Sequence, residues 1–313
     1  IDVKNVSIID VAQVPLEPIK PDKVKNMAIA AAAGLLAGVL IVILLELIDN
    51  TFKKPEDIEK KLGAKVIGSI PQFEGYKKNR KQKHQYLSNK RNLITLHDPK
   101  SAAAEAYRSM RTNLHYSSID TELKTMVITS PGPGDGKSTT SCNLAISLAQ
   151  NGQKVLLIDA DLRKPKVHKY FNVPNQVGLT NCLADNVDYN DAVFTRKDIP
   201  NLSLIFAGPI PPNPAELLGS NKMKAFLDKL KEEYDIIIFD TPPVIQVADS
   251  TILGGITDGI VLVISAGETN IDMARKAYRT ISEIGTKVLG TALVKIDTNS
   301  IGSYYRYYSY EYR

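Results

Sequence analysis

The stretch that most constrains this chain is residues 125–140, TMVITSPGPGDGKSTT. An apolar run suited to a buried strand (Met126, Val127, Ile128) ends in a loop holding Gly132, Gly134 and Gly136, after which Lys137, Ser138 and Thr139 open a helix. This is a P-loop pattern. Side chains would hold backbone N–H groups away from phosphate oxygens; glycines let the loop wrap them, the lysine neutralises charge, and the serine hydroxyl is placed for Mg²⁺. The usual pattern is G-x-x-x-x-G-K-[ST], and its first glycine position is Pro131 here. Proline is accommodated at a strand exit, where its fixed φ of about −65° is easily adopted. The expected ATP contacts are Gly132, Gly134, Asp135, Gly136, Lys137, Ser138 and Thr139.

Further strands and helices alternate downstream. VLLIDADLRKP gives a strand over 155–158 with Asp159 and Asp161 at its carboxyl end, two carboxylates that point the same way at a spacing of two. In an open parallel sheet that end is where ligands bind. A strand at 202–207 precedes the proline-rich loop GPIPPNPAELLGS. The run YDIIIFDTPP ends in Asp240, which fits a Walker B carboxylate serving Mg²⁺ directly or through water. Strands at 260–265 and 288–293, with a helix at 271–284 between them, complete the set. The pattern predicts an α/β fold, a P-loop NTPase with a mainly parallel sheet and helices on both faces. From the residues alone, Asp240 can also be a turn cap, and the Asp159 and Asp161 pair a turn signal.

The 313 residues, 43% hydrophobic, suffice for one sizeable domain plus further elements. Residues 27–45, MAIAAAAGLLAGVLIVILL, are nineteen positions without a charge, and the run is apolar all round rather than on one stripe. A transmembrane helix over 27–48 is expected. Before it, residues 1–26 combine a β-like run at 6–11 with prolines at 15, 18 and 21, which read as a stiff extracytoplasmic spacer. ATP is cytosolic, so the P-loop side is expected inside. Residues 49–97 are expected to form a cytoplasmic juxtamembrane segment: a short helix in PEDIEKKLG, a strand at 65–70, then a basic linker. That linker carries Lys77, Lys78, Arg80, Lys81, Lys83, Lys90 and Arg91 against Glu74 alone. Such a stretch is drawn to anionic membrane lipid; with no aromatic interleaving or recognition helix, nucleic acid is not an expected partner. Cys142 and Cys182 lack the spacing of a metal site or a disulfide framework.

SAAAEAYRSMRTNL predicts an alanine-rich helix from Ser101, with Glu105, Arg108 and Arg111 on one face, either a solvated face or an intersubunit contact. The chain closes on SIGSYYRYYSYEYR, in which Tyr304, Tyr305, Tyr307, Tyr308, Tyr310 and Tyr312 are too many neighbouring phenols for a packed core. They read as an exposed tail, either low-complexity or a set of phosphate acceptors.

Taken together, SPGPGDGKST, IDADLRKP, GPIPPNPAELL, IIIFDTPP and the tyrosine-rich end closely resemble bacterial tyrosine kinases of capsule and exopolysaccharide systems, over residues 98–313. The proline-rich stretch, membrane helix and PEDIEKKLG resemble the end of the polysaccharide co-polymerase that accompanies such kinases. That co-polymerase normally has an outer domain between two membrane helices; one helix is visible, so an N-terminal truncation is expected. The resemblance implies a kinase domain over 98–298 and a tail over 299–313 whose tyrosines are autophosphorylated. It implies Lys137, Asp159, Asp161 and Asp240 as catalytic residues, Ser138, Asp159 and Asp240 around Mg²⁺, and Asp161 as the preferred base. It makes Glu105, Arg108 and Arg111 the E-x-x-R-x-x-R oligomerisation motif of a homo-oligomeric ring. Further implied partners are the polysaccharide polymerase and export machinery and a cognate tyrosine phosphatase. Where the family often places an asparagine near the adenine, this chain has Val294. The alternative is a membrane-tethered ParA/MinD-like switch ATPase without phosphotransfer to protein, disfavoured because Gly132 stands where such proteins carry a lysine.

Overall fold

In the computed structural model, residues 20–73, 92–117, 122–185 and 187–297 are described. The β-like run at 6–11, Pro15 and Pro18, the basic linker at 77–91 and the tyrosines from Tyr304 to Tyr312 lie outside the described residues. The chain divides into two units, Ile1–Asn50 and Thr51–Arg313.

In the first unit, Lys23–Ile48 is a 26-residue helix, long and apolar enough to cross a membrane. At about 1.5 Å per residue it spans about 39 Å, more than a hydrocarbon core of about 30 Å. Asp22 caps it by accepting from the Lys25 N–H at 3.1 Å.

The second unit is built on one eight-stranded sheet. Its strands are β1 (Val66–Pro71), β2 (Thr125–Thr129), β3 (Val155–Asp159), β4 (Val193–Arg196), β5 (Ile199–Ile205), β6 (Ile236–Asp240), β7 (Gly259–Ser265) and β8 (Val288–Ile296). Their spatial order is β1-β8-β7-β2-β6-β3-β5-β4, and only β4 runs antiparallel to its neighbour. The central strands read as unbroken apolar runs because both faces are covered. Side chains alternate between two cores with the two-residue strand period: Val127, Leu156, Ile158, Ile237 and Phe239 enter one, Met126, Ile128, Val155, Leu157, Ile236 and Ile238 the other. Helices Ala102–Ser117 and Lys137–Gln150 cover the second core with Tyr107, Met110, Leu144 and Ile146. Helices Asn221–Glu233 and Ile271–Glu283 cover the first with Leu227, Leu230, Ala277 and Ile281.

Two features shape the edges of the sheet. The compact unit begins at Thr51: β1 pairs with β8, and Phe52, Ile58, Ile67 and Ile70 are fully buried in the two cores. Without β1, β8 would present an open edge of unpaired backbone groups. The second is β4, whose four residues VFTR were too short and too mixed in polarity to show as a strand; it gains its place by pairing with β5.

Candidate active site

β6 lies between β2 and β3, although the chain reaches it only after β5. This insertion lines up the carboxyl ends of three strands, and the loops leaving them share one crevice at the point where strand order reverses. From β2 comes the P-loop. Gly134 (φ +94°) and Gly136 (φ +95°) take left-handed backbone that costs any side-chain-bearing residue about 1–2 kcal/mol. The loop runs into the helix Lys137–Gln150, whose first-turn N–H groups have no intrahelical acceptor and so offer an anion site.

Three carboxylates surround Lys137. Its Nζ donates to Asp161 Oδ2 at 3.0 Å and to Ser138 Oγ at 3.3 Å, and lies 3.8 Å from Asp240 Oδ2. Burial disfavours this ammonium, but Asp240 and Asp161 outweigh it and hold its pKa above the ordinary lysine value. Asp240 is wholly buried; loss of solvent raises its pKa, against the pull of Lys137. Its Oδ1 accepts from Ser141 Oγ at 3.1 Å, whereas Oδ2 has no hydrogen-bond partner among the described residues. Asp159 is likewise raised, by burial first and Asp240 second. The two aspartates at the end of β3 have different surroundings. Asp159 Oδ2 accepts from the Lys166 and Val167 N–H groups, both at 3.0 Å, while Asp161 turns one oxygen to the Lys164 N–H and the other to Lys137.

Lys137, Ser138, Thr139, Asp159, Asp161 and Asp240 are therefore brought together. Asp135 differs from expectation in how it is used. Its carboxylate accepts from the Gly132 N–H at 2.7 Å and from Thr269 Oγ1 at 2.9 Å, so it braces the loop and leaves only its backbone to face a ligand. Glu105, Arg108 and Arg111 share the helix Ala102–Ser117, with Arg108 on Glu105 at 2.7 Å and Arg111 on the Ser147 carbonyl at 2.8 Å, both within the chain. Val294 is buried in the core.

Several residues of the site were not foreseen. Ser141 reaches Asp240, Tyr170 OH lies 3.3 Å from Thr139 Oγ1, and Arg163 grips Asp249 with two nitrogens at 2.9 and 3.1 Å, fastening the loop after β3. Lys166 adds a cation whose pKa is lowered by burial and then by Lys137. Lys295 donates to the Gly134 carbonyl at 2.8 Å. The only local signal for it was a lysine near the carboxyl end of an otherwise apolar strand.

Mg²⁺ fits these groups. Asp240 Oδ2 is buried with no hydrogen-bond partner among the described residues, and Asp159, Asp161 and Asp240 outnumber the cations Lys137 and Lys166. Mg²⁺ is commonly held by one or two carboxylates together with substrate phosphates rather than by a protein cage.

The AAA domain family matches residues 123–293. The tyrosine-protein kinase YwqD of Bacillus subtilis is 47% identical over 217 residues, covering 69% of this chain and 91% of that protein. The chain belongs to the bacterial tyrosine kinases of capsule and exopolysaccharide biosynthesis. This kinase also matches the family described as a G-rich domain on putative tyrosine kinase, at residues 1–47, which with its apolar helix marks it as membrane-associated. The tyrosine-protein kinase ptk of Acinetobacter johnsonii is 35% identical over 304 residues, 96% of this chain but 41% of that protein. The crystal structure of the chimerical protein CapA2B2 superposes with a TM-score of 0.71 at 36% identity, covering 78% of this kinase and 100% of that chain. The chain is thus an ATP-dependent tyrosine kinase on a P-loop NTPase fold.

Proposed function

We propose that this kinase phosphorylates the tyrosines of its own C-terminal cluster, Tyr304, Tyr305, Tyr307, Tyr308, Tyr310 and Tyr312, in trans between subunits of a ring, and thereby controls polysaccharide polymerisation and export. The observation that carries the reading is the contact of Lys137 with both Asp161 and Asp240 at the carboxyl ends of β2, β3 and β6. β8 runs parallel to β2 through β7, so the chain leaves the sheet after Ile296 on the P-loop side.

Loop amides and Lys137 hold the β- and γ-phosphates of ATP, and Lys137 exchanges its contact with Asp161 for phosphate oxygens. Asp161, so released, orients the acceptor phenol and takes its proton. A phenol with a pKa of about 10 needs only modest basic help. Ser138, Asp240 and Asp159 are the groups that would hold Mg²⁺, which would supply neutralisation of charge on the transferring phosphates. Asp161 is preferred over Asp159 as the base because the latter's Oδ2 is held by two backbone N–H groups. Glu105, Arg108 and Arg111 form the ring contact, the basic linker meets anionic lipid, and the kinase domain is cytoplasmic, where ATP is. A cognate phosphatase resets the tail. Each phosphotyrosine adds about −1.5 to −2 charges, enough over six sites to reverse the net charge of +5 and drive subunits apart.

The test uses the full chain in detergent with Mg²⁺ and ATP. A Lys137→Met chain with an intact tail is mixed with an active chain whose six tail tyrosines are phenylalanine. Phosphate on the Lys137→Met chain is the expected result, with Asp161→Asn slowing the active chain about 100-fold or more. A parental chain that hydrolyses ATP without phosphotyrosine would sink the kinase cycle, and phosphate confined to chains that are themselves active would sink the trans reaction.

A further inference from the structure

Along the β1–β8 pair, Ser69 faces Leu293 but Pro71 faces Ile296, so β8 carries one extra residue there. Lys295 lies in this bulge with φ +58°, a left-handed backbone inside a strand. Bulges re-aim a side chain. Here the re-aimed group is an ammonium, on a side chain only 8% exposed, that donates to the Gly134 carbonyl at 2.8 Å and pairs with Glu268. The turn after β7 that supplies Glu268 also supplies Thr269, which holds Asp135 at 2.9 Å. Two successive P-loop residues are thus fixed from outside the loop.

In a trans peptide the C=O and the following N–H point to opposite sides of the chain. Anchoring the Gly134 carbonyl on Lys295 therefore turns the Asp135 N–H to the other face of the loop. We infer that Lys295 is a positioning residue for nucleotide binding: it sets the Gly134–Asp135 peptide so that the Asp135 N–H faces the phosphates of ATP. The left-handed backbone serves that aim, since a regular strand would direct the side chain elsewhere. The inference rests on reading residues 131–139 as the phosphate cradle.

Glycine adopts φ +58° without strain, so Lys295→Gly removes the ammonium while relieving the backbone. With the full chain in detergent, affinity for a fluorescent ATP analogue and Tm are measured together. Lys295→Gly is expected to melt no lower than the parental chain and to bind about ten-fold or more weakly, as for loss of a charged hydrogen bond. Lys295→Arg, which keeps the cation, should stay within about three-fold. Unchanged affinity in Lys295→Gly overturns the inference, as does an equal loss of affinity in both variants accompanied by a lower Tm in both. Lys137→Met is run alongside; if it binds as tightly as the parental chain, the cradle reading itself fails and this inference with it.

Discussion

Among single residues, Asp159 shows how burial and neighbouring charge act on one carboxylate. Loss of solvent and the proximity of Asp240 raise its pKa to about 7, although two N–H groups and Lys137 favour the charged form. A raised carboxylate pKa means that the folded state binds more protons than the unfolded state between the two values. Stability in the absence of ATP and Mg²⁺ therefore falls as pH rises from about 4 to about 7 through this group. Asp159→Asn removes the titration while its amide oxygen can still accept from Lys166 and Val167. Its Tm relative to the parental chain should climb between pH 5 and 7 and level off above, by thermal melts in chelator; a constant difference would show that Asp159 does not carry the shift. At the same scale, Lys295 retains a non-glycine left-handed backbone that costs on the order of 1–3 kcal/mol, a strain of the kind that persists where surrounding structure enforces it.

Between elements, two glycines separate backbone strain from steric contact. Gly134 has φ +94° and open space where a Cβ would lie, so Gly134→Ala is penalised through conformation alone. Gly178 is extended, with φ −178°, but a Cβ there would lie 2.0 Å from the Phe206 carbonyl oxygen, where the loop before the helix Leu179–Ala184 meets the end of β5. Gly178→Ala should cost about 3 kcal/mol, and Gly134→Ala about 1 kcal/mol. ATP affinity should rank the other way, since only the second lies in the cradle. Chemical denaturation and nucleotide titration of both variants check the two orders. The P-loop glycines were readable from the motif, and so was the helix Pro55–Leu62 with Pro55 at its start and Gly63 (φ +67°) at its end. Gly178 was not, because its constraint comes from β5, which is distant in sequence.

For the whole molecule, the sheet is covered on both faces and its β8 edge is closed by a strand that follows the apolar helix in sequence. Removing residues 1–50, the first unit, should leave the Tm within a few degrees. Removing residues 1–91 also deletes Phe52, Ile58, Ile67 and Ile70, each worth about 2 kcal/mol of burial, and bares β8. That shorter chain should melt at least about 5 °C lower and aggregate on heating, by calorimetry and light scattering; equal melting of the two truncations would show that β1 is dispensable. The sequence by itself determined the P-loop, the apolar helix, the alternation of strands and helices, and the aspartates at strand ends. All of these are written in local spacing, through side-chain period, turn residues and motif distances. The tertiary structure alone decided that β6 lies between β2 and β3, which puts Asp240 3.8 Å from Lys137, and that a bulge in β8 sends Lys295 to Gly134, 161 positions away. Strand order and register rest on pairings between distant segments, and no local pattern encodes which edge meets which.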